Sequence, residues 1–131
     1  TGTGRYLKDH KPGVKIIAAA PHPGDLVQGL RALEEGFIPP IFDETVLDGK
    51  IVVDSKSSFA MSKDLTTKEG LFVGISCGAV VRAAIKAAER LEGEQHIVCL
   101  LADGGWKYLS SNLWTTEWED QPDEVENKIW W

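Results

Sequence analysis

The stretch GLFVGISCGAVVRAA, residues 70–84, runs an apolar segment into a loop of Gly, Ser and Cys and then directly into an alanine-rich segment. Read locally, it is a strand handing over to a helix. At such a junction backbone N–H groups are free and the helix dipole is positive, so the loop is receptive to an acceptor atom or an anion. Ser76 has two readings here. It is either the N-cap that closes its own helix, or a hydroxyl offered to the ring nitrogen of a ligand that flanking glycines let approach closely. Cys77 as a nucleophile needs a histidine to activate it, and none is placed to do so.

The alternation continues in both directions. Apolar runs rich in β-branched residues, each bounded by turn signals, predict buried strands at 14–20 (VKIIAAA), 50–55 (KIVVDS), 71–76 (LFVGIS) and 96–103 (HIVCLLAD). Helices are expected at 4–10, as the tail of one that starts before this chain, and at 25–36, ending on a glycine stop. Two more are expected at 54–70, with Asp54 as N-cap and Gly70 as stop, and at 78–93, where Val81, Ala84, Ile85, Ala88 and Leu91 form one apolar stripe. Strands and helices alternating at this length predict an α/β fold: a layered, mostly parallel sheet flanked by helices. Ligands of such folds collect at the carboxyl ends of strands. That places Asp103, like Ser76, at a candidate site; its alternative is a turn aspartate with Trp106 and Tyr108 in the core.

At 131 residues the chain has the size of one domain and can bury a real core. Its net charge of −6 and the lack of any basic stripe argue against a nucleic-acid surface. Nothing approaches the roughly 18 apolar residues of a membrane span. The start at Thr1 fits processing or a piece of a longer chain. Cys77 and Cys99 read as reduced, buried thiols of a cytoplasmic protein, and no His or Cys spacing suggests a metal site. From 115 to 131 six acids face one base, a local charge of −5, yet Trp118, Trp130 and Trp131 lie among them. An acidic segment with indoles to bury is expected to pack back onto something rather than stay solvated.

With these features in place, KEGLFVGISCGAVVRAA (68–84) resembles the EG-x-x-x-GIS-[S/T]-GA segment of the cysteine synthase family, pyridoxal-phosphate enzymes of fold type II. GTGRYLKDHKPGVKIIAAAP (2–21) resembles the helix and strand that follow the family's phosphate-binding glycine loop. LRALEEGFIPP (30–40) and DGGWKYLSS (103–111), with the acidic tail, resemble the branch that uses O-phosphoserine and takes sulfur from a small sulfur-carrier protein.

The resemblance implies specific roles. Ser76 would hydrogen-bond the pyridine nitrogen of pyridoxal 5'-phosphate. Cys77 departs from the usual Ser or Thr. Arg31, read from its surroundings a solvated helix residue, would hold the substrate phosphate with its planar fork of donors. Gly29, with Gln28 beside it, would border the amino-acid substrate. Residues 1–114 would be the C-terminal part of the catalytic region, and 115–131 a tail able to fold over the active site as a lid. The Schiff-base lysine and the phosphate cradle are expected upstream, so no catalytic residue is assigned in this chain and TGTG (1–4) is not read as the cradle. The full-length enzyme would be a homodimer making cysteine from an activated serine and a sulfur donor. The alternatives are an acetylserine-using synthase, a cystathionine β-synthase, or, from another class, a non-catalytic module that binds a partner through its acidic, Trp-rich tail.

Overall fold

The computed structural model describes residues 1–111 except 26, 28 and 34–36, together with 114 and 115. Two parallel strands, β1 (Ile17–Pro21) and β2 (Gly49–Val53), pair in register from Ile17 opposite Gly49 to Pro21 opposite Val53. Asp48 sets that register: its N–H donates to Ile16 O and its carboxylate accepts from Ile16 N (both 2.8 Å) just before the ladder begins. Pro21, which has no N–H to give, closes β1. The helix α1 (Gly2–His10) lies ahead of β1 and packs Gly4 against Val46, where any side chain would overlap the valine. Its Lys8 reaches Asp48 at 3.0 Å.

The two longer helices follow. α2 (Ser55–Glu69) begins as its sequence suggests: Asp54 accepts from both the N–H and the hydroxyl of Ser57 at 2.7 Å. It ends at Gly70 in the left-handed conformation (φ 70°), with Leu71 N donating back to Leu65 O. α3 (Ile75–Ala88) crosses α2 on small residues, Gly78 against Ser58 and Ser62, and Lys86 Nζ ties it to Val52 O of β2 at 3.2 Å. One core joins Val27, Val53, Phe59, Ile75, Ala79 and Ala83; a smaller one joins Leu65, Val73 and Cys77. Among the described residues no helix is long and apolar enough to cross a membrane.

Parallel strands and flanking helices agree with the α/β expectation, and three local expectations need correction. The described part of 25–36 is loop, not helix. Gly29 sits at φ 87°, outside the helical region, and the Asp25 carboxylate serves the start of α2 instead of its own segment. Residues 71–76 and 96–103 join no strand ladder among the described residues; an isolated antiparallel bridge links Val73 and Gly104. Segment 96–103 keeps a strand's alternation, with Val98 95% and Leu100 81% exposed while Cys99 and Leu101 are half-buried, but a ladder needs a neighbour to accept and donate. Finally, α3 buries Ile75, Gly78, Ala79 and Ala83 rather than the stripe through Ile85 and Leu91, both of which are exposed. Close approach to α2 selects the small residues over the large ones.

Candidate functional site

The site is built around the first turn of α3. Its N-cap is Gly74, with no side-chain cap, so Ser76 is the second helical residue and does not close the helix. The capping alternative for Ser76 is thereby overturned. Its hydroxyl is left for another use: the residue is 8% exposed, and Gly29 of the loop after β1 faces it.

The bridge between Val73 and Gly104 brings a second group of residues to this turn. Gly74 N donates to Asp103 O at 3.1 Å and Gly105 N to Phe72 O at 3.1 Å. Asp103 is the hub: Tyr108 Oη donates to its Oδ2 at 2.7 Å, Lys107 Nζ lies 3.7 Å away, and the Cys77 thiol approaches its carbonyl at 3.5 Å. Burial, reinforced by the Asp103 carboxylate, raises the Tyr108 pKa well above the usual phenol value, so the phenol stays a donor near neutrality. Gly74 has no room for a side chain, since a β-carbon there would overlap the Asp103 carboxylate and lie 2.8 Å from the Tyr108 ring.

The third wall is the loop after β1. A methyl on Gly29 would come within 3.4 Å of Ser76 Oγ and 3.9 Å of Tyr108 Oη, so these three residues converge. Arg31 lies two residues further on, exposed, with Nη1 donating to Phe37 O at 3.2 Å and not to Ser76. The structure therefore brings Ser76 and Gly29 together and leaves Arg31 at the rim of the same loop. Gln28 and the tail from 116 onward lie outside the described residues. Trp106 is exposed rather than in the core, whereas Tyr108 packs against the main core as read and, through its bond to Asp103, also stands in the site wall. The signal that it belonged there was its position five residues after Asp103 beyond a strand-like run.

A hydroxyl donor on a helix N-terminus, faced by a glycine that keeps the space open, fits the ring nitrogen of a planar heteroaromatic cofactor. Comparison with known proteins points the same way. Over 118 residues the chain is 39% identical to the cysteine synthase of Aquifex aeolicus, covering 87% of this chain and 36% of that protein. With the probable cysteine synthase of Bacillus subtilis it is 36% identical over 122 residues, covering 88% and 39%. A crystal structure of cysteine synthase from Entamoeba histolytica superposes with a TM-score of 0.79 at 31% identity, over 92% of this chain and 38% of that one. The chain thus spans well under half the length of the relatives it matches. The model of a family described as "Pyridoxal-phosphate dependent enzyme" matches residues 1–103, and the chain belongs to that family.

Proposed function

We propose that this chain is the part of a pyridoxal-phosphate-dependent cysteine synthase that holds the cofactor's pyridine nitrogen and one side of the amino-acid pocket. The observation that carries this reading is the Ser76 hydroxyl in the first turn of α3, not used as a cap and facing Gly29. Pyridoxal phosphate supplies the electron sink through which a leaving group on the β-carbon of serine gives way to sulfur. Ser76 offers the ring nitrogen a neutral donor rather than a carboxylate, which leaves that nitrogen unprotonated and favours β-replacement over reactions needing a stronger sink. Tyr108 and Asp103 border the same space, and the open side at Gly29 admits the amino acid. The relatives named cysteine synthase support the reaction class.

Within that class O-phosphoserine is the favoured substrate, because Arg31 on the rim carries a guanidinium that forks two bonds to a phosphate and gains nothing from an acetyl group. The enzyme would act in the cytoplasm as a homodimer, with a sulfur-carrier protein as donor and residues 115–131 as a lid that keeps water out. In the full-length protein, Arg31→Ala is expected to lower kcat/KM for O-phosphoserine by about 10- to 100-fold, the worth of a charge-assisted pair, and to spare O-acetylserine. An unchanged phosphoserine rate transfers the reading to an acetylserine-using synthase or a cystathionine β-synthase. A full-length protein that neither binds the cofactor nor turns over either serine would instead be a binding module.

A further inference from the structure

We infer that Asp25 is a positioning residue for this site: it latches the loop 22–31 to the start of α2 and so sets the distance between Gly29 and Ser76. The inference rests on the reading of Ser76 given above. Asp25 Oδ2 accepts from Ser55 N at 2.9 Å, and its Oδ1 accepts from the Ser55 hydroxyl, across 30 residues of sequence. α2 does not need this carboxylate to begin, because Asp54 already caps it through Ser57. The second carboxylate at the same positive helix end acts on the loop instead, which it holds by two hydrogen bonds, one of them to a backbone N–H.

Among the described residues the loop is otherwise held by turns and apolar packing. Its described residues form neither helix nor strand. Two reverse turns, Asp25 N to His22 O and Leu30 N to Val27 O (both 2.9 Å), shape it locally, Val27, 1% exposed, plugs it into the main core, and Leu30 packs against the same core. Gly29 lies between that plug and the rim, at φ 87°, with Ser76 Oγ 3.4 Å from where a β-carbon would stand. With Asp25 released, the loop rests on the core through the apolar contacts of Val27 and Leu30 and loses its directional tie to α2. Apolar contacts fix no direction, so the wall opposite Ser76 shifts on them and the amino acid is held less well even though the Ser76 hydroxyl stays where it is.

The test uses the full-length protein, its Asp25→Ala variant and Ser55→Ala, which removes only the hydroxyl half of the latch. Amide hydrogen exchange, which needs no activity, is expected to quicken about tenfold over 22–31 in Asp25→Ala and less over 56–69. Ser55→Ala is expected to give a smaller effect of the same pattern. Steady-state kinetics should show KM for the activated serine raised about tenfold, with kcat and the cofactor's absorbance spectrum little changed. Loop exchange that is unchanged, or that rises equally with α2, overturns the latch. So does a fall in kcat at constant KM, the mark of a merely unstable protein. Should Asp25→Ala not fold, Ser55→Ala decides by the same exchange pattern. Wild-type protein without turnover would refute the enzymatic reading, while the exchange result still judges the latch.

Discussion

The α2–α3 crossing predicts a large cost for one added methyl group. In Gly78→Ala the new β-carbon would overlap the Ser58 carbonyl oxygen and the Ser62 hydroxyl and lie 2.7 Å from Ser62 N. Two of these three atoms belong to the backbone, so no side-chain rotation relieves the contact. The helices would have to separate by about 1 Å to restore ordinary packing distances. Overpacking of this kind costs about 1–3 kcal/mol. Separation also stretches the approach of the Ser62 hydroxyl to Gly74 O (3.1 Å) and Ile75 O (3.3 Å), which share its one proton in a contact worth about 1 kcal/mol. The better helix propensity of alanine returns about 1 kcal/mol, leaving a net loss of about 1–3 kcal/mol.

Equilibrium unfolding in urea measures this loss as a lowered midpoint. Because Ser76 precedes Gly78 by two residues on the displaced turn, pyridoxal phosphate should also bind more weakly. Ser62→Gly in the Gly78→Ala background should not rescue stability, since the Ser58 carbonyl remains in the way. A loss under 1 kcal/mol, or rescue by Ser62→Gly, would refute the reasoning.

Two further outcomes follow from the titrating groups. Hydrogen bonds from Thr45, then from Arg5, lower the Asp43 pKa from 3.8 to about 2. A depressed carboxylate stabilises the fold above its unfolded value and loses that contribution as pH falls from about 4 towards 2; melting temperature against pH should show this step, and Asp43→Asn should remove it. Tyr108→Phe deletes the donor to Asp103 and is expected to cost about 1–2 kcal/mol. The wild-type phenol, its pKa raised by burial and by Asp103, stabilises the fold below about pH 10 and ceases to do so as pH climbs through the higher folded value. Spectrophotometric titration that finds Tyr108 ionising at the ordinary phenol pH would contradict the buried Asp103 contact.

The sequence by itself determined the features whose hydrogen bonds close within a few residues. Asp54 and Gly70 bracket α2 as read, α1 ends near His10, and the apolar run before Ser76 leads directly into a helix start. Caps and helical turns join neighbours in the chain, so the residues themselves carry that information. The parallel α/β class was legible for a related reason, because short alternating segments leave few other connections.

Only the tertiary structure decided which long-range partner each group found. Asp25 reads as the start of its own helix yet binds Ser55, 30 residues away. The apolar stripe of α3 reads as its buried face, yet the crossing with α2 buries Gly78 and Ala79, since only small residues let two backbones approach. Tyr108 and Asp103 enter the site wall because Val73 and Gly104 bridge, a pairing that no periodicity announces. Periodicity encodes which side of a segment is apolar. Which surface meets it is set by packing across the whole fold, where distant backbones and side chains compete for the same space.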